Sequence, residues 1–160
     1  MIKRLGILAL VLLNIGCDQI SKDMIRKSID PMEYVQVVGD NLILTNVENT
    51  GAMLGFGQDF PPMLKLIFLQ GLPLIVLLIL LARTLQKTNL NRWMVLAFAF
   101  VIGGGMGNLI DRIAYGSVTD FLQLKLGVLK TGIFNMADVS VTIGVIMLLF
   151  LTIRYRNLEI

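Results

Sequence analysis

The chain of 160 residues has no histidine and a single cysteine, Cys17. Those two absences exclude His-based general-base catalysis, Cys/His nucleophile pairs, ordinary zinc sites and any intramolecular disulfide. Charge is scarce as well: 16% of the residues are charged while 56% are hydrophobic, against about 25% charged in an average soluble domain. The composition is that of a membrane protein. The 14 Lys+Arg and 11 Asp+Glu leave a net charge of +3. In a lipid-embedded chain such an excess orients the protein, and no nucleic-acid partner is needed to explain it. Whatever chemistry the chain performs must use carboxylates, hydroxyls, amides, Lys or Arg.

A bilayer span takes about 20 mostly apolar residues. Four stretches qualify: Leu5 to Ser21, containing only Asp18; Leu66 to Ala82, uncharged; Trp93 to Ile110, uncharged and followed by Asp111; and Thr131 to Ile153, containing only Asp138. They predict helices near residues 5–23, 64–83, 93–112 and 133–154. Residues 25–62 form an insertion between the first two spans. In it the β-branched runs Tyr34 to Val38 and Leu42 to Val47, separated by Gly39, Asp40 and Asn41, predict a hairpin. Residues 113–132 form a loop between the last two spans. There Phe121, Leu122, Leu124 and Leu126, with Gln123 and Lys125 interleaved, predict a short strand-like piece. The expected fold is membrane α-helical: one integral membrane domain over residues 1–160, with four transmembrane helices and a small extracytoplasmic β domain.

Basic residues set the orientation. Lys3, Arg4, Arg83, Lys87, Arg92, Arg154 and Arg156 fall in the termini and the second loop; Lys22, Arg26, Lys27, Lys65, Arg112, Lys125 and Lys130 fall on the other side. The first group is packed into roughly 21 residues of short loop and the second is spread over roughly 63, so both termini are placed in the cytoplasm.

An ionisable side chain inside a span costs about 2.5–3.5 kcal/mol on insertion scales. Asp18, Asp111 and Asp138 occupy three different spans, all toward the outer end. Singly, each reads as a helix end wetted by headgroups; together they mark one level as the place for a site. Their polar companions have helical spacing. Asn14, Asp18 and Lys22 make one stripe, with Asp18 and Lys22 an oppositely charged pair one turn apart; Asn108, Asp111 and Arg112 make a second, and Asn135 and Asp138 a third. Gly103 and Gly107 form a small-xxx-small pair that lets another backbone approach.

In order along the chain, these stretches resemble one family, the lipoprotein signal peptidases or signal peptidase II, which are bacterial membrane aspartic proteases. Asp18-Gln19-Ile20-Ser21-Lys22 resembles D-Q-x-x-K, and Asn49-Thr50-Gly51-Ala52 resembles N-x-G-A, followed here by Met53 and Leu54 where a small residue and an aromatic are usual. The segment from Gly104 to Arg112 is similar to G-G-x-x-G-N-x-I-D-R. Val118-Thr119-Asp120-Phe121 is similar to V-V-D-F with Thr119 for valine, and Phe134-Asn135-Met136-Ala137-Asp138 to F-N-x-A-D. The resemblance implies that Asp120 and Asp138 are the catalytic pair. It further implies that Asp18, Lys22 and Asp111 are structural, and that Asn49, Gly51, Asn108, Arg112 and Asn135 line the site and contact substrate. The implied reaction removes the signal peptide of diacylglyceryl-modified prolipoproteins on the amino side of the lipidated cysteine. It needs no metal or cofactor, and is expected of a monomer whose partners are prolipoproteins and membrane lipid. The implied location is the bacterial cytoplasmic (inner) membrane, with the site at the extracytoplasmic face.

Two carboxylates that share a proton can hydrolyse a peptide: one takes a proton from water, and the other donates to the carbonyl oxygen or leaving amine. Asp120 is expected in a loop beside Phe121, able to swing toward Asp138, and Asp111 in a fixed ion pair with its neighbour Arg112. Leu54, Phe56, Phe60 and Phe121 either shield the cleft or anchor the outer domain. Two other readings exist. Asn14-Ile15-Gly16-Cys17 imitates a lipid-attachment box, although a cleaved anchor has no use for three further spans. A proton-coupled transporter would also carry intramembrane Asp, but near the midplane.

Overall fold

The computed structural model of the chain describes residues 2–87 and 90–154. The side chains of Lys3 and Leu54, and residues Arg156 and Glu159, lie outside the described part. Four helices are long and apolar enough to cross a membrane: α1 (Ile2–Ser28), α2 (Pro62–Gln86), α3 (Arg92–Tyr115) and α4 (Met136–Arg154). Each falls on one of the expected spans. Helix α1 runs on past residue 23, because no Gly or Pro interrupts Met24 to Lys27 and Lys27 pairs one turn back with Asp23 at 2.6 Å. Helix α2 contains a π-helical turn, Leu66–Gly71, just before Pro73, whose missing N–H opens the i→i−4 ladder there. Helix α3 starts on Asn91, whose side chain accepts a hydrogen bond from the Trp93 amide at 2.9 Å. It ends on Gly116, at φ 76°, a left-handed conformation that glycine adopts without steric penalty.

Helix α3 is the centre of the bundle. Half of its apolar window is buried, against 22%, 11% and 17% for α1, α2 and α4. Glycine makes that possible. A Cβ on Gly103 would lie 2.5 Å from Asn14 Cβ, on Gly104 2.4 Å from the Ala137 carbonyl oxygen, and on Gly107 2.6 Å from Asp18 Oδ2. Helices α1 and α4 therefore touch the α3 backbone along the face that carries Asn108 and Asp111. At the other end Val11, Met94, Phe98, Ile102 and Leu151 close an apolar core, and the outward faces are mostly apolar, as a lipid solvent requires.

The polar end carries an antiparallel sheet of β1 (Tyr34–Val38), β2 (Leu42–Asn49), β3 (Val118–Leu126) and β4 (Leu129–Lys130), in that order. The β1/β2 hairpin is the expected one. The stretch around Asp120 is not a loop: it is strand β3, paired with β2 so that Asp120 lies opposite Val47 and Val118 opposite Asn49. The alternation of Phe121 to Leu126 continues back through Asp120, and the partner strand is supplied by a distant part of the chain. Phe134 then pairs with Leu122 in both directions, at 2.9 and 2.8 Å, which fixes the start of α4 against the strand that holds Asp120. On the other face Phe121 packs on Ile25 of α1 and on Ile29 just past its end.

The fit at Gly104 yields a prediction. Because an added methyl would meet a backbone oxygen at 2.4 Å, Gly104→Ala should destabilise the bundle by about 1–3 kcal/mol or more, seen as a lower thermal unfolding midpoint in detergent. Gly16→Ala, where nothing lies within 4 Å, should leave it unchanged or slightly raised. Equal midpoints for the two variants would refute close packing at Gly104.

Candidate active site

The α1 stripe turns inward and delivers a cation. Lys22 is fully buried, and its ammonium lies 2.7 Å from Asp18 Oδ2, 2.8 Å from Asp111 Oδ2 and 2.9 Å from Asn108 Oδ1. Three oxygens meet three N–H donors, which is what a buried ammonium requires. Asp18 and Asp111 are equally buried. Gln19 donates to both carboxylates, at 3.2 and 3.0 Å, and to the Gly107 carbonyl. Asp18 Oδ1 also accepts the Ala137 amide at 2.8 Å, so the first turn of α4 is partly capped by a carboxylate from α1.

The partner of Asp111 differs from the one expected. Asp111 pairs with Lys22 and with Arg26 Nη2, the latter at 3.3 Å. Adjacent residues on a helix diverge by about 100°, so Arg112 leaves the cluster. It donates from Nη2 to the Gly51 carbonyl at 2.8 Å and from Nη1 toward the Asn108 carbonyl at 3.4 Å. Arg26 escaped the sequence reading although it extends the Asn14, Asp18, Lys22 stripe by one more turn. Arg26 also donates to Thr119 Oγ1 at 2.7 Å, and Thr119 donates to Glu48 at 2.6 Å. The Arg26 guanidinium lies over Tyr115, 4.2 Å from the ring centroid.

Asn108 passes the polarity of the cluster outward. Its Oδ1 faces two donors, Lys22 and Asn135 Nδ2, so its Nδ2 is left to donate to Asp138 Oδ1 at 2.8 Å. Asn135 precedes α4, and its side chain accepts the Asp138 amide at 3.0 Å while Asp138 Oδ2 accepts the Asn135 amide at 3.3 Å. This reciprocal pair is a capping box written with Asn and Asp. The Nδ2 of Asn135 then donates to Asp120 Oδ1 at 2.6 Å. One amide side chain thus holds the Asp120 carboxylate and caps the turn that carries Asp138.

Asp120 Oδ2 accepts from Asn49 Nδ2 at 3.0 Å, across the β2/β3 pair. Asn49 Oδ1 accepts the Gly51 amide at 2.9 Å. Gly51 is therefore held at its N–H by Asn49 and at its carbonyl by Arg112, and a Cβ there would strike Gly55 at 2.7 Å. Burial pushes the Asp120 carboxyl up to about 6; the Asn49 and Asn135 donors oppose that rise, and the negative charge of Asp138 adds to it. A cleft of about 300 Å³ opens on Asp120 between Asn49, Glu48 and Gln58 on one side and Gly132 and Ile133 on the other. Phe56 stands exposed above this region, edge-on to Phe60, whereas Phe121 is buried against α1.

The structure thus gathers Asp18, Lys22, Asn49, Gly51, Asn108, Asp111, Arg112, Asp120, Asn135 and Asp138 into one hydrogen-bonded assembly at the sheet end of the bundle. The family described as Signal peptidase (SPase) II matches residues 10–154. The lipoprotein signal peptidase of Moorella thermoacetica is 37% identical over 141 residues, covering 88% of each chain. That of Streptococcus pneumoniae is 33% identical over 152 residues, covering 95% of each. A solved bacterial membrane enzyme, determined by the in meso method at 2.3 Å resolution, superposes with a TM-score of 0.80 at 28% identity, over 97% of this chain and 94% of that one. Four membrane-spanning helices, a four-stranded sheet and a match over nearly the whole length lead to one conclusion: the chain belongs to the signal peptidase II family of membrane peptidases.

Proposed function

We propose that the chain is an aspartic endopeptidase that removes the signal peptide from diacylglyceryl-modified prolipoproteins, cutting on the amino side of the lipidated cysteine, with Asp120 and Asp138 as its catalytic pair. The observation that carries this reading is Asn135, which binds the Asp120 carboxylate and caps the turn of Asp138 at once, so that one amide side chain ties together a carboxyl from a strand and a carboxyl from a helix. The names of the relatives, lipoprotein signal peptidases, support the substrate class. The place of the carboxyls at one end of four spans, rather than at midplane, fits a substrate whose lipid holds its cleavage site at a membrane surface. The density of Lys and Arg supports the extracytoplasmic face of the bacterial cytoplasmic membrane.

In this mechanism a water between the two carboxyls gives its proton to Asp138, whose oxygens are aimed by Asn108 and the Asn135 amide. The proton held by Asp120 passes to the carbonyl oxygen and then to the leaving amine. Arg112 has a buried Nε without a hydrogen-bond partner, suited to a peptide carbonyl at the Gly51 flap. Asn49, Asn108 and Asn135 serve the substrate by holding the acids in place. Asp18, Lys22 and Asp111 serve the fold.

Incubation of purified variants with a diacylglyceryl prolipoprotein tests the pair. Asp120→Asn and Asp138→Asn should each fold yet lose cleavage by at least ~100-fold, and the double variant should be little worse than either, since groups acting as a unit are not additive. Substantial cleavage by folded Asp120→Asn together with a dead, well-folded Asp111→Asn would move the role to Asp111. Asp18→Ala leaves the Lys22 ammonium with Asp111 and Asn108 but with one N–H unpartnered, and frees the Ala137 amide. It should remove about 1–3 kcal/mol of stability or more, lowering the yield of folded protein more than the turnover of what remains; normal yield with no activity would contradict the structural role.

The raised Asp120 value sets a pH dependence. A carboxyl at about 6 when folded, against an ordinary 3.8, contributes stability that is fully present below 3.8 and lost as pH rises through 6. Its catalytic proton leaves over the same range. The alkaline limb of kcat/KM should therefore fall with an apparent pKa near 6 that belongs to the coupled pair. Asn49→Ala removes a donor that favours the ionised form, so in it the limb should move to higher pH. A limb that stays put or moves down would detach Asp120 from the profile.

A further inference from the structure

At the end of the bundle away from the carboxyls, a cavity of about 340 Å³ opens between α2 and the start of α3. Its α2 wall is made by Val76, Ile79, Leu80, Arg83 and Thr84, positions three and four apart and so one continuous stripe, which Lys87 extends at the residue that caps the helix. Along that stripe the chemistry changes in order: three aliphatic side chains, then the cation Arg83, the hydroxyl of Thr84 and the cation Lys87. Leu90 and Phe98, both buried at 8% exposure, close the far wall. The stripe from Val76 to Lys87 rises about 16 Å at 1.5 Å per residue. That length accommodates the upper part of an acyl chain with its glycerol and headgroup.

Among the described residues, the two cations have no carboxylate to neutralise them. Arg83 and Lys87 are exposed, one turn apart, and like charges at that spacing repel. Neither forms an ion pair among the described residues. No Asp or Glu occurs in α1 before Asp18, in α2, in α3 before Asp111 or in α4 after Asp138. A third cation lies near, since Arg4 Nε donates to the Leu85 carbonyl at 3.2 Å and ties the start of α1 to the end of α2.

We propose that this groove is a site for an anionic phospholipid of the leaflet opposite the carboxyls. One acyl chain would lie along Val76, Ile79 and Leu80 against Phe98, and the phosphate between Arg83 and Lys87. Charge complementarity selects the occupant. A zwitterionic headgroup brings its own ammonium next to two cations with no carboxylate among the described residues to receive it, whereas a net-negative headgroup satisfies both. The bound lipid would join α2, the least buried helix, to α3. Through α2 it bears on Gln70, which donates to the Arg112 carbonyl at 3.1 Å at the other end.

The test uses the full chain, delipidated in detergent, with phosphatidylglycerol, phosphatidylcholine or glycerol phosphate added. Two basic contacts predict a preference of roughly 10- to 30-fold for phosphatidylglycerol over phosphatidylcholine in lipid retained by native mass spectrometry. Phosphatidylglycerol should also raise the thermal midpoint, with little rise from phosphatidylcholine and none from glycerol phosphate. The Arg83→Gln/Lys87→Gln double variant should lose the preference while cleaving at the unaltered rate in phosphatidylcholine. Equal retention of the two lipids by the unaltered protein would overturn the proposal, whatever the variant does. So would an undiminished preference in the variant, or a midpoint rise with glycerol phosphate alone, which would mean an anion site and not a lipid site.

Discussion

A single ammonium group organises the polar end of this molecule. Lys22 is buried where a lone charge is not tolerated, and its neutralisation requires α1 and α3 to supply Asp18, Asp111 and Asn108 together. Replacing such a cluster with apolar residues is often neutral or favourable for stability, so its presence is better read as specification than as glue. The contacts bear that out. Occupying Asn108 Oδ1 settles which way that amide points, and so delivers an N–H to Asp138. The buried ammonium thereby determines, through Asn108, the orientation of the Asp138 carboxyl.

The second constraint is the beginning of α4, which meets three demands with few atoms. A helix start leaves amides without partners. Here Asn135 takes one within its own turn and Asp18 takes another from across the bundle, while the remaining Asn135 N–H reaches Asp120. The need to satisfy backbone amides at the membrane boundary and the need to hold two acids together are thus met by the same side chains, which binds the geometry of the acids to the integrity of the helix.

How much of this could be seen in the residues alone depended on the range of the interaction. The spans, the β1/β2 hairpin and the Asp18–Lys22 pair are local, with periods and spacings visible along the chain. Partners brought together by tertiary packing were not. The pairing of β2 with β3, the contact of Asp111 with Lys22 and Arg26, and the turn of Arg112 toward Gly51 all depend on how helices rotate against one another, and glycine at 103, 104 and 107 governs that rotation. Gln70 went unnoticed in an uncharged span because one amide barely lowers hydropathy. Arg26 was within reach of the helical stripe and was passed over because it lies beyond the apolar stretch.

The pairing of Phe134 with Leu122 and the capture of the Ala137 amide by Asp18 have a consequence for biosynthesis. A nascent chain with three helices inserted already contains Asp18, Lys22, Asp111 and strand β3, but Asp120 then lacks its Asn135 donor and Asp18 lacks the α4 amide. Both contacts form only when the last span emerges and docks. The hydrogen-bonded network around Asp120 is therefore completed last in the order of synthesis, by residues of the final span.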